Sequence, residues 1–178
     1  PVYAHGRLYV VSRDGSLSVA DWPDGNVRYE EDAADAVGVL PLGRDLLVTT
    51  GAGELQLLDP ELKPRWSYQA VEPASTPPMV HGGMAVFQTA DGWLHAVDHA
   101  TGKGRFKIEI GTTAAAPVGQ DGVLILTVRN GELHAFDSAA REVRWSYDLD
   151  GEVYGSPALW QGRVFVASWG RTLHCLAW

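Results

Sequence analysis

Three histidines, His95, His134 and His174, each follow one residue after a recurring leucine. Histidines at a shared position are what a zinc centre uses, and zinc needs every ligand about 2.0–2.1 Å from one ion. Equivalent positions on stacked sheets are about 10 Å apart. The spacing therefore predicts packing between sheets, with one ring nitrogen hydrogen-bonded, rather than a metal site. Cys175, the only cysteine, rules out an intrachain disulfide and a cysteine-built zinc site, and reads as a buried apolar filler. Gly51-Ala52-Gly53 matches half of a dinucleotide fingerprint, but Gln56 stands at the third glycine position and a strand follows where a helix is required. Arginine precedes an aromatic four times, at Arg28-Tyr29, Arg65-Trp66, Arg105-Phe106 and Arg144-Trp145. On a strand the two side chains point to opposite faces, so the aromatic docks between sheets while the arginine reaches outward into a salt bridge. No acid stands alone in a long loop as a general base would. No catalytic, cofactor-binding or metal-ligating residue is assigned. The remaining chemistry is recognition: Arg13, Trp93, Arg129, Trp169 and Arg171 fall at turns on one face, and exposed Trp and Arg are the usual anchors of protein interfaces.

The elements that carry these residues are strands. The 178 residues include twenty glycines, ten prolines and many short Val/Leu/Tyr/Trp runs. With 46% apolar and 20% charged residues the chain can build a core. Its net charge of −8 argues against nucleic acid, whose phosphates need basic faces. No run approaches the ~18 apolar residues of a membrane span. Three lysines and two asparagines against many Ala, Gly, Val and Arg suggest a GC-rich bacterial source.

An internal repeat organises the whole chain. Leu17, Leu55, Leu94, Leu133 and Leu173 recur at spacings of 38, 39, 39 and 40. Four residues after each come Asp21, Asp59, Asp98 and Asp137, with Ala177 in the fifth copy. Gly6, Gly43, Gly83, Gly122 and Gly162 begin the second strand of each unit. Before each leucine stand Asp14-Gly15, Ala52-Gly53, Asp91-Gly92, Asn130-Gly131 and Gly170-Arg171, which predict type I′ hairpins and, in the fifth copy, a type II′ turn. Each unit reads as four short strands; in the fourth they span about 116–120, 123–128, 132–136 and 142–147. Four antiparallel strands every ~39 residues are the signature of β-propeller blades. The expected blades span about 1–30, 36–68, 76–108, 114–147 and 154–178, within a single domain over 1–178.

The segment Ala96-Val97-Asp98-His99-Ala100-Thr101-Gly102-Lys103-Gly104-Arg105-Phe106 resembles the tryptophan-docking motif of the pyrroloquinoline-quinone (PQQ)-like propeller repeat family, Ala-x-Asp-x-x-Thr-Gly-x-x-x-Trp. The run from Ala135 to Trp145 is similar, with Ala139-Ala140 where Thr-Gly would be. The resemblance implies that the motif glycine packs against the tryptophan of a neighbouring blade. It covers the whole chain and identifies blades rather than a chemistry. Quinoprotein dehydrogenases of this family bind PQQ and calcium, and many carry long insertions and an adjacent cysteine pair. Here the connections Glu30–Val37 and Gln69–Thr76 are short and a cysteine pair is impossible. The resemblance thus points to the non-catalytic branch, with no cofactor, and a PQQ-dependent dehydrogenase-type propeller binding PQQ and calcium is the alternative. Two versions stay open: a scaffold like the lipoprotein propellers of outer-membrane β-barrel assembly, and a ligand sensor like those attached to bacterial kinases. Partners would be a protein or small ligand at a loop face, in an extracytoplasmic (periplasmic or cell-surface) setting; the single cysteine leaves the cytoplasm open.

The count holds four complete blades and a fifth that stops after its third strand at Trp178. Propellers of this family have about six to eight blades. The expected architecture is therefore an all-β arc, the C-terminal part of a larger propeller. A closed five-blade ring and pairing of two chains through open blade edges are the alternatives.

Overall fold

Val, Leu, Ile and aromatic residues alternate through short runs, and such residues pack well on a pleated surface. In the computed structural model these runs form nineteen strands among the described residues, which are 1–31, 35–113 and 115–177, the side chains of 28–31 excepted. Trp178, where the repeat count ends the fifth unit, lies outside them. The first sheet is β1 (Val2–Ala4), β2 (Arg7–Val11), β3 (Leu17–Asp21) and β4 (Val27–Glu31). The second is β5 (Ala36–Leu42), β6 (Asp45–Thr50), β7 (Glu54–Leu58) and β8 (Pro64–Gln69). The third is β9 (Met79–His81), β10 (Met84–Gln88), β11 (Trp93–Asp98) and β12 (Gly104–Glu109). The fourth is β13 (Val118–Gln120), β14 (Val123–Thr127), β15 (Glu132–Asp137) and β16 (Glu142–Asp148). The fifth has three strands, β17 (Ala158–Trp160), β18 (Arg163–Ala167) and β19 (Leu173–Ala177). Every sheet is an antiparallel meander in chain order.

The core lies between the sheets rather than within any one of them. Tyr9, Leu17 and Val19 meet Val39, Leu46 and Val48 across the first gap. Leu47, Leu55 and Leu57 meet Ala85, Phe87 and Val97 across the second. Val86 and Leu94 meet Leu124, Leu126 and Phe136, and Ile125, Leu133 and Ala135 meet Val164 and Val166. Each inner sheet buries both faces only through its neighbours, as repeat architectures do. The recurring leucine shows it directly: Leu17, Leu55, Leu94 and Leu133 are buried, whereas Leu173, on which no further sheet packs among the described residues, is 69% exposed. The same open face leaves Cys175 exposed, which corrects the expectation of a buried filler.

The turns differ from the sequence expectation in a regular way. The second hairpins use three-residue loops, seen in Ser12 N–H to Ser16 O and Gly15 N–H to Ser12 O, and again at 89–93 and 128–132. A type I turn followed by one left-handed residue closes such a loop, so positive φ falls on Gly15, Gly53, Gly92 and Gly131 alone. Asp14 and Asn130 keep ordinary φ and accept from the N–H of Ser16 and Glu132. In the fifth copy the left-handed residue is Arg171, φ +65°, and Gly170 is not left-handed, so the expected type II′ turn is absent. The doubly positive turns lie in the first hairpins, at His5-Gly6, Gly82-Gly83, Asp121-Gly122 and Gln161-Gly162. The repeated glycines there belong to turns; the second strands begin just after them.

Candidate protein-interaction face

The three-residue turns and the connections between sheets are bound to each other. The carbonyls of Asp35, Pro73, Thr112 and Glu152 accept from the N–H groups of Gly51, Ala90, Arg129 and Trp169, the first residue of each following turn. In return the N–H groups of Ala36, Ala74 and Val153 donate to Gly15, Thr50 and Arg129 of the preceding sheet's turn. Ala36, Ala74, Thr113 and Val153 are buried beneath this lattice. The face is thus a rigid rim; the residue after the buried one is half-buried at Val37 and Ser75 and exposed in the last connection.

At the last connection that residue is Tyr154. Its ring is 5.3 Å from that of Trp169, inclined by 54°. The Arg129 guanidinium sits 5.7 Å from the Tyr154 ring centroid, within cation–π range. The Tyr154 hydroxyl donates to Glu152 at 2.7 Å, and that bond, with some burial, raises its pKa. Trp169 is 74% exposed and Tyr154 44%. Of the five residues singled out from sequence, the structure brings Arg129 and Trp169 together through Tyr154 and puts Arg171 in the same turn as Trp169. Trp93 stands apart, and not in a turn as expected: it is the first residue of β11, paired with Glu109, with Lys107 Nζ 4.7 Å from its ring. Arg13 lines a cleft of about 770 Å³ between the first two sheets, with Tyr9, Asp35, Val37 and Pro77. Tyr154 is absent from the sequence-derived set. Aligning the connections rather than the strands would have found it, because the matching positions Val37 and Ser75 carry no aromatic ring.

Asp150 is the other unforeseen residue. Ser168 and Thr172 donate their hydroxyls to it and His174 Nε2 lies 2.9 Å away. These donors, in that order, hold its pKa well below the usual carboxylate range. A side chain on Gly170 would run into this carboxylate. The glycine therefore serves close approach at the middle of the turn, and Arg171 takes the left-handed position.

The three histidines do pack between or within sheets. His95 is buried, stacked on Phe87, with Tyr68 of the preceding sheet at 3.1 Å from Nδ1 and Thr89 at 3.3 Å from Nε2. With the Thr89 proton on Asp91, Nε2 donates and Nδ1 accepts from Tyr68. Both nitrogens are used, one more than the sequence suggests. Burial, then the Lys107 charge, lowers the His95 pKa. His134 bonds Ser146 of its own sheet at 2.8 Å. Among the described residues no three His, Cys, Asp or Glu side chains converge as metal ligands.

The Arg-aromatic pairs divide as expected where side chains are described. Trp66, Phe106 and Trp145 are half-buried between sheets, while Arg65, Arg105 and Arg144 are exposed. Arg105 pairs with Asp98 and Arg144 with Asp137, each at 2.5 Å; Arg65 pairs instead with Asp45 at 2.9 Å. Arg28 and Tyr29 lie outside the described side chains. Gly102, φ +72°, lies so close to Trp66 that an added Cβ would come within 2.7 Å of the indole. In the fourth sheet the equivalent residue is Arg141, φ +60°, one position later than Ala139-Ala140, and it covers Phe106 at 5.3 Å.

The family described as outer membrane protein assembly factor BamB matches residues 36–108 and 104–176. Proteins of that name from Bordetella pertussis and Nitrosomonas eutropha are 26% and 28% identical over 153 residues, 82% of this chain. The chain spans 40% and 37% of the length of these two curated relatives. The crystal structure of BamB from Moraxella catarrhalis superposes with a TM-score of 0.77 at 20% identity, covering 97% of this chain and 55% of that one. The computationally designed Ika8 protein gives 0.79 at 11% identity, covering 99% and 57%. These likenesses show the propeller fold. Because the family match covers well over half of its length, this chain belongs to the outer membrane protein assembly factor BamB family.

Proposed function

We propose that this chain is a non-catalytic scaffold that holds protein partners during assembly of bacterial outer-membrane proteins, working outside the cytoplasm. The observation that carries the reading is the exposed Arg129–Tyr154–Trp169 group on a hydrogen-bonded rim, in a chain of this family. Loops on a rigid scaffold are where propellers place recognition. The rim takes part by presenting anchors of the types that dominate protein interfaces, and the buried core between sheets keeps them in fixed register. Nothing in the site or the family match favours the PQQ-dependent dehydrogenase reading.

The test is site-specific photocrosslinking in cells, with the crosslinker at position 129 or 169. The expected product is an adduct with a component of the outer-membrane assembly machinery. Deleting the gene should also lower the amount of folded outer-membrane β-barrel protein, and Trp169→Ala should restore it less well than the parent chain. Adducts confined to other faces of the propeller would overturn the assignment of the rim.

A further inference from the structure

We infer that the Tyr154–Trp169–Arg129 group binds an extended, proline-containing peptide segment; the inference rests on the reading of this rim as the docking face. The shape is the first reason. Tyr154 and Trp169, in contact at 5.3 Å and inclined by 54°, together present an exposed flat apolar surface, on which a compact ring such as that of proline can lie.

The hydrogen-bonding inventory is the second reason. The main-chain N–H groups of Arg129, Val153, Trp169 and Arg171 are all spent internally, on Thr112, Arg129, Glu152 and Ser168. A ligand strand seeking a ladder of main-chain donors here meets spent groups. What remains is side-chain donors. The Trp169 indole N–H has no hydrogen bond, and Arg129 no ion pair, among the described residues. Such a site asks for a ligand rich in acceptors and poor in donors. A polyproline-type segment fits: its carbonyls point outward, its prolines have no N–H, and it is extended before it binds. A sugar presents hydroxyl donors and acceptors together, and the carboxylate beside the rings, Glu152, already takes the Tyr154 hydroxyl.

The experiment labels the indole nitrogens of the full chain with ¹⁵N, so that its seven tryptophans each give one N–H resonance. Trp169→Phe assigns the Trp169 signal. The probes are a capped decaproline, a glycine-serine peptide of equal length, and chitotriose. The expected result is a saturable movement of the Trp169 resonance with decaproline and none with the glycine-serine peptide. Arg129→Met, followed on the Trp169 resonance, and Trp169→Ala, followed by titration calorimetry, should each weaken binding about tenfold, the loss of one good anchor. No saturable movement at millimolar decaproline, an equal response to the glycine-serine peptide, or a response to chitotriose alone would each overturn the inference. The two readings fail separately. Crosslinks at positions 129 and 169 without decaproline binding keep the docking face and reject this ligand class; decaproline binding without an assembly partner does the reverse.

Discussion

At the level of single residues, backbone conformation and close approach decide which side chain each repeat tolerates. Arg171 occupies a left-handed position held by glycine in the other four turns. A side chain there costs about 1–2 kcal/mol. Arg171→Gly is therefore expected to stabilise the chain by about 1 kcal/mol in urea unfolding. Gly102 is the reverse case, because a Cβ would meet the Trp66 indole as well as the unfavourable φ. Gly102→Ala should cost about 1–3 kcal/mol by the same measurement. Leu62 and Arg141 stand at the matching position in their sheets with φ +62° and +60°. The strain is tolerated there because the larger side chain covers a neighbour, Phe106 in the case of Arg141.

Elements of identical pattern acquire different energetics from what lies beyond them. Leu133 on β15 and Leu173 on β19 are the same repeat position, one fully buried and the other 69% exposed. Leu133→Ala should cost about 2–5 kcal/mol, whereas Leu173→Ala should change stability by less than about 0.5. Equal losses at the two positions would contradict the stacking order. The turns that join third and fourth strands have their own signature. Asp98 is held below the usual carboxylate pKa first by Arg105 and then by Thr101; Asp137 is held down first by the Ala140 N–H and then by Arg144. A folded-state pKa below the unfolded value of about 3.9 contributes stability above that value and loses it as pH falls through the folded one. Acid unfolding of Asp137→Asn should accordingly show a shallower loss of stability below about pH 4 than the parent chain.

For the molecule as a whole, five stacked sheets end in an uncovered apolar face. Phe165, Ala167, Leu173 and Cys175 share that face on the last sheet, since Phe165 pairs with Cys175 and Ala167 with Leu173. In the fourth sheet the matching residues are sealed by Val164 and Val166. The arc overlays a little over half of the BamB and designed propellers. Such exposed apolar surface drives association. The isolated chain is expected to sediment with a concentration-dependent mass, and the double substitution Phe165→Asp and Leu173→Asp should make it monomeric. A parent chain that sediments as one monomer at every concentration would indicate that the face is closed in solution.

The repeat, the strand order within each sheet and the recurring leucine that is buried in the first four copies can be read from the sequence. Those features follow from alternation and turn residues, which are local. That Gly102 packs on a tryptophan of a neighbouring sheet is what the family resemblance implies, and the structure identifies the partner as Trp66. Turn type was not legible: Asp-Gly and Asn-Gly suit a two-residue loop and a three-residue loop alike, and the strand register chooses between them. Stacking in three dimensions is what brings Tyr154 to Trp169, sets the Asp150 carboxylate against Gly170 and leaves Leu173 and Cys175 exposed. Each of these depends on which connection or sheet lies next to a turn in space. A repeat pattern repeats the position and leaves the neighbour to the stacking.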